Sequence, residues 1–102
     1  MQLMDTKVTD EEELEETCFF ITSHLNETKK PARTQIRKIV QVIGTDKALQ
    51  FLKQAREVER AGGMLTMNGK KRRTIGGVFF YLVRTQTDEV TVTRIWPDRN
   101  KP

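Results

Sequence analysis

The sequence predicts a small helical bundle, and three apolar stripes at helical spacing carry that reading. Leu14, Cys18, Ile21 and Leu25 form the first, Ile36, Ile39, Val40 and Ile43 the second, and Ala48, Phe51, Leu52, Ala55 and Val58 the third. Turn or capping residues separate the stripes. With 102 residues, 36% of them apolar and 31% charged, the chain has room for one modest core. Residues 1–8 read as a flexible leader, 9–97 as a single domain and 98–102 as a frayed tail.

Thr9 and Glu12 make a capping-box pattern, and the acids that follow suit the positive end of the first helix. Phe19 and Phe20 widen its apolar stripe. After the loop at residues 26–30, Pro31 suits a first helical position, and Gly44 is a helix stop. Thr45 or Asp46 caps the third helix, and Gly62-Gly63 ends it. Asn68-Gly69 is a turn signal, which allows a hairpin. The arm after it, Lys70-Lys71-Arg72-Arg73, has no apolar face to bury, so an ordered loop on a tight turn is favoured. The run Val78-Phe79-Phe80-Tyr81-Leu82-Val83 is either a buried strand or a helix capped by Thr74, and its length does not decide. Val90 to Trp96 is β-branched and reads as a strand by propensity, with Pro97 closing it.

The net charge of +4 hides a split. Residues 1–26 hold seven acids and one lysine, a net of −6, while 17 bases against seven acids give the remainder +10. The bases gather at Lys29, Lys30, Arg33, Arg37 and Lys38, and again at Lys70 to Arg73, with no acid between residues 60 and 87. Charge runs often serve only as solvated faces, but this local density also suits a polyanion through counterion release. Lys30, Arg33 and Arg37 share one helical stripe, and Lys53, Arg56 and Arg60 repeat the spacing on the third helix. Two glycine pairs, Gly62-Gly63 and Gly76-Gly77, bracket the loop. Thr74-Ile75-Gly76-Gly77 would present backbone N–H groups to phosphate if it opens a helix.

Other chemistries fail on inspection. A phosphate-binding G-x-x-x-x-G-K-[ST] loop does not match, because five residues instead of four lie between Gly63 and Gly69 and Lys71 stands where a hydroxyl is needed. One histidine and one cysteine do not build the usual zinc sites. His24 reads as a surface side chain, Cys18 as core and the glutamates of the first helix as a solvated face, so neither metal nor cofactor is expected. No apolar run reaches the length of a membrane span, no signal peptide is evident and a lone cysteine forms no internal disulfide, so the expectation is an intracellular chain. Tyr81 and Trp96, then Phe79 and Phe80, are candidate platforms for stacking on single-stranded bases.

Ala48-Leu49 through Glu57-Val58-Glu59, Gly62-Gly63, Met67-Asn68-Gly69, Arg72-Arg73-Thr74 and Gly76-Gly77-Val78-Phe79 together resemble the RNA-binding domain of the family of phosphorylated adapters for RNA export. In this chain the pattern reads E-V-E-x-x-G-G-x-x-x-M-N-G-x-x-R-R-T-x-G-G-V-F. It extends weakly back to Arg37-Lys38-Ile39-Val40 and Ile43-Gly44, and is faint or absent over residues 1–30 and after Leu82.

The resemblance implies an all-α fold, a compact bundle of four to five short helices with an ordered Gly/Arg-rich loop between helices 3 and 4. It implies helix for Val78 to Val83 and for the segment ending at Trp96. It also implies binding of single-stranded RNA by a monomer without enzymatic activity. The site positions it carries over are Asn68, Gly69, Arg72, Arg73, Thr74, Gly76 and Gly77, with Lys70 and Lys71 adding charge and the helical stripe adding Arg33 and Arg37. The acids of the first helix would compete with phosphate for this surface. Eukaryotic members of the family are longer and bridge a capped small nuclear RNA, a cap-binding complex and an export receptor. A chain from Met1 to Pro102 leaves no room for those regions, so the expectation is a stand-alone RNA binder. It would be cytoplasmic if the chain is complete and bacterial, and nuclear and cytoplasmic if it belongs to a eukaryotic export adapter. A DNA-binding module and a protein-interaction module are rivals for the same basic surface.

Overall fold

In a computed structural model of the protein, which describes residues 11–97, five helices follow one another. They are α1 (Glu11–Leu25), α2 (Lys30–Ile43), α3 (Thr45–Arg60), α4 (Ile75–Gln86) and α5 (Glu89–Ile95). Among the described residues there is no strand, only an isolated antiparallel bridge between Leu65 and Arg72. The all-α bundle implied by the resemblance is therefore the fold. The Thr9 capping pattern, the leader and the tail lie outside the described residues.

Helix α1 packs on α2 and α3, α2 also meets α3 and α5, and α4 lies along α3. The three sequence stripes turn inward: Leu14, Cys18, Ile21, Leu25, Ile36, Ile39, Val40, Ala48, Phe51, Leu52 and Ala55 are buried together with Val78, Phe79, Leu82 and Val83 of α4. Phe19 and Phe20 do not widen the α1 stripe, because their side chains are 73% and 45% exposed. At about 100° per residue each projects roughly 130° from the centre of the buried stripe, Phe19 to one side and Phe20 to the other. Thr17 and Thr22 flank the stripe instead, and Thr22 satisfies its hydroxyl by donating to the Phe19 carbonyl at 3.1 Å.

Neither Thr45 nor Asp46 caps α3. Gly44 ends α2 and starts α3 at once: its N–H donates to the Val40 carbonyl (2.9 Å) and its own carbonyl accepts from Ala48 N–H (3.1 Å). The φ of +91° that this double role requires is open to glycine and strained for other residues. The Thr45 hydroxyl donates to Glu13 across the bundle at 3.2 Å.

The apolar run after Gly77 resolves as helix, with the Thr74 hydroxyl oxygen accepting from Gly77 N–H at 3.0 Å. Helix α5 overrides the β-branched composition of Val90 to Thr93. Helix propensity there is unfavourable by about 0.5 kcal/mol per residue, or about 2 kcal/mol in all. A side-chain cap supplies about 1 kcal/mol, and burying Val92 and Ile95 about 1.5–3 kcal/mol each, so cap and packing together exceed the penalty. The cap is Asp88, whose carboxylate accepts from Thr91 N–H at 3.0 Å and from the Thr91 hydroxyl at 2.8 Å. That backbone N–H holds the Asp88 carboxyl below its ordinary pKa. Gln35 ties the end of α5 to α2 by donating to the Ile95 carbonyl at 3.1 Å.

Candidate nucleic-acid interface

Between α3 and α4 the chain turns back on itself in a narrow, hydrogen-bonded loop. Gly63 N–H closes α3 on the Val58 carbonyl (2.8 Å), and two cross-loop bonds follow, Thr66 N–H to Lys71 O (2.7 Å) and Arg73 N–H to Met64 O (2.6 Å). Asn68 organises the tip: its side-chain oxygen accepts from the Thr66 hydroxyl (2.9 Å) and from Lys70 N–H (3.0 Å). Gly69 takes φ +73° there and donates to the Thr66 carbonyl at 2.8 Å.

The four consecutive bases divide into two kinds. Arg72 pairs with Glu59 at 2.9 Å and lies over Gly63, where a Cβ would meet its Nε at 2.2 Å and where φ is +91°. Arg73 donates from Nε to the Leu65 carbonyl at 3.0 Å, and its guanidinium stands 4.7 Å above the Tyr81 ring. Both arginines therefore brace the loop. Lys70 and Lys71 are exposed and have no ion-pair partner among the described residues.

The start of α4 is also occupied from within. Gly77 N–H is taken by the Thr74 cap. Gly76 is buried beneath the Glu27 carboxylate, one oxygen of which lies 2.0 Å from where a Cβ would stand. A protein carboxylate thus sits beside the first turn of α4, where the sequence reading puts a phosphate.

Where α2 faces α1, the Arg37 guanidinium is held between the carboxylates of Glu11 and Glu15. The hydrogen bond from Arg37 lowers the Glu11 pKa, and the two carboxylates raise that of Arg37. Two acids of the first helix thus hold one of the residues singled out in the sequence. Arg33, one turn away, is exposed, and like Lys30 it has no ion-pair partner among the described residues.

A groove of about 420 Å³ runs between α1 and α2, lined by Phe19, Thr28, Lys30, Arg33, Thr34 and Arg37 together with Glu15, Cys18 and Thr22. Burial pushes the Cys18 thiol pKa up. A second groove, of about 370 Å³, lies between α1 and α3 with Phe20, Leu49, Lys53, Arg56 and Arg60 in its walls. The two basic helical stripes thus line separate grooves on opposite sides of α1. Segment 27–28 links the first groove to the loop region, because Thr28 lines the groove while Glu27 touches Gly76.

The stacking candidates serve mainly as structure. Phe79 is fully buried, Tyr81 lies under Arg73, and Phe80 and Trp96 pack edge to face at 6.4 Å. The well-exposed aromatic rings are Phe19 and Phe20, which sequence reasoning placed on the buried stripe. The angular offset of each from that stripe was the signal that identifies them.

Basic grooves edged by exposed aromatics, on a helical scaffold, have the physical character of a nucleic-acid-binding domain. Residues 19–101 match the family described as the RNA-binding domain of the phosphorylated adapter RNA export protein, and the chain belongs to that family. The similarity therefore runs well past Leu82, further than the motif alone indicates. The chain is 40% identical over 78 residues to the phosphorylated adapter RNA export protein of Homo sapiens and 37% identical over 78 residues to that of Gallus gallus. Each match covers 76% of this chain and 19% of the relative, so the chain spans about a fifth of the length of these proteins. A solved Cryptosporidium parvum chain described as a novel RNA-binding domain superposes with a TM-score of 0.64 at 29% identity, covering 86% of this chain and 95% of that one. The family is that of an RNA-binding domain of an adapter, a binding module rather than an enzyme.

Proposed function

We propose that this chain binds single-stranded RNA, mainly through its phosphates, using the loop at residues 68–77 and the neighbouring face of α2. The observation that carries the reading is the pair Lys70 and Lys71. They are exposed at the tip of a braced loop without a carboxylate partner among the described residues. Cations so placed release counterions on binding a polyanion, whereas cations already paired release fewer.

In this account Lys70, Lys71 and Arg33 attract phosphate, and Asn68 and Gly69 shape the turn that presents the lysines. Arg72 and Arg73 hold the loop in shape through Glu59, the Leu65 carbonyl and Tyr81. Thr74, Gly76 and Gly77 set the start of α4 beneath it. Residues 9–97 act as one domain and as a monomer, with no cofactor. The relatives are named for RNA export, and the proposal for this chain concerns RNA binding alone.

Competition at matched salt between single-stranded RNA and duplex DNA tests the reading. Displacement by the RNA at a much lower concentration is expected. Equal displacement by duplex DNA, or a protein partner retained equally well after nuclease treatment, would overturn it.

A further inference from the structure

We infer that the groove between α1 and α2 is a nucleobase subsite, in which an unpaired base stacks on Phe19 while an adjacent phosphate pairs with Lys30 and Arg33. This rests on the RNA-binding reading above and adds to it a base contact that the loop does not supply.

Phe19 is the starting point. A phenylalanine side chain 73% exposed contributes nothing to the core and leaves an apolar face in water. Here the ring edges a groove of about 420 Å³, within the size range of small-ligand sites.

The groove is graded along its length. Helices α1 and α2 run antiparallel, so Glu15 stands level with Arg37, Phe19 comes one turn further along α1, and Arg33 and Lys30 come successively further back along α2. At the Glu15 end the carboxylates of Glu11 and Glu15 outnumber the single Arg37 guanidinium they hold, which leaves that end negative. That end repels a phosphate. At the other end Arg33 and Lys30 are exposed, with no ion-pair partner among the described residues. A nucleotide therefore has one favourable orientation, with its phosphate towards Lys30 and its base towards the ring. The Thr28 and Thr34 hydroxyls line the same groove and offer both donor and acceptor to a base edge.

An aromatic ring beside unpaired cations is the general chemistry of single-strand recognition, and it tolerates any base because every base has a π-face. The groove also connects to the loop through segment 27–28. A strand leaving it over Lys30 passes towards the start of α4.

The test compares the full chain with Phe19→Ala, Phe19→Trp and Phe20→Ala, using a uridine decamer and an abasic ribose-phosphate oligomer of equal length. Phe19→Ala should weaken binding of the decamer about tenfold, the usual worth of one stacked base, and leave the salt slope unchanged. It should not alter binding of the abasic oligomer. Phe19→Trp should keep the affinity and show indole fluorescence quenched by the decamer. Phe20→Ala, in the other groove, should change affinity less than twofold. Normal binding of the decamer by Phe19→Ala overturns the subsite alone, as does an equal loss from Phe20→Ala or an equal loss on the abasic oligomer. Self-association that Phe19→Ala abolishes, without change in RNA affinity, would assign the groove to a second copy and also overturn it. Failure of the unmodified chain to bind the decamer would overturn the RNA-binding reading together with the subsite.

Discussion

In the loop between α3 and α4 the arginines face their own protein: Arg72 holds Glu59, and Arg73 holds the Leu65 carbonyl and covers Tyr81, while Lys70 and Lys71 stand in solvent. In the groove between α1 and α2 the division falls within one helix, with Arg37 clasped by Glu11 and Glu15 and Arg33 open one turn away. The two regions hold similar charge in opposite settings. The first is a tight loop with no acid of its own, which borrows Glu59 from α3. The second lies against an acidic helix that neutralises part of it. In both, the density of bases overstates the charge available to a ligand. Guanidinium groups, planar and with several fixed donors, are the ones committed to internal bonds, and three of the four braced or open arginines in these regions are so committed.

The loop depends most on its arginine braces. Replacing Arg72 and Arg73 together with alanine removes one ion pair, one side-chain to carbonyl bond and one cation–π contact. The expected loss is about 2 kcal/mol of stability, or roughly 10 °C in Tm, and RNA affinity should fall with it. Amide exchange at Thr66 and Arg73, whose N–H groups form the cross-loop bonds, should accelerate. A fall in affinity with Tm and exchange unchanged would make the arginines phosphate ligands and not braces.

In the groove, Arg37 can be unmasked. Glu11→Gln with Glu15→Gln leaves the helix intact and removes both carboxylates. If the released guanidinium meets one phosphate, affinity for single-stranded RNA should rise about fourfold at 0.15 M salt, and the salt slope should steepen by about 0.7. An unchanged affinity would place Arg37 outside the interface.

The smallest effect is on acid stability. Glu11, through Arg37, and Asp88, through the Thr91 N–H, both have folded-state pKa values below the ordinary ones. Such groups contribute stability that is present above the ordinary carboxylate pKa of about 4 and is lost as pH falls through the lowered values. Tm should be level from pH 7 to about 5 and decline below about 4. The combination Glu11→Gln and Asp88→Asn should flatten that decline, and an unaltered pH profile would remove both contacts from the account.

Much of the bundle was legible because a core-facing helix writes its period into the sequence, as the stripes of α1, α2 and α3 do. Helix α5 was hidden by Val90 to Thr93, whose local preference opposes the Asp88 cap and the burial of Val92 and Ile95. The candidate site was legible as composition and much less as geometry. Nothing local to Arg72 names Glu59 as its partner, and nothing near Gly76 points to Glu27, since each pair meets only when helices pack. Phe19 and Phe20 were misplaced for a different reason. Their hydrophobicity suits a buried stripe, but their angle on α1 decides which way they point.

In the proposed function the unpaired lysines of the loop, and not its arginines, carry the phosphate attraction. The most direct measurement is the affinity of the chain and of Lys70→Ala with Lys71→Ala for a uridine decamer across a salt series. If both lysines meet phosphates, the slope of log affinity against log salt should fall by about 1.4 and affinity by about tenfold at 0.15 M salt, with Tm unchanged. The same slope and the same affinity in the variant, with the unmodified chain binding the decamer, would contradict it.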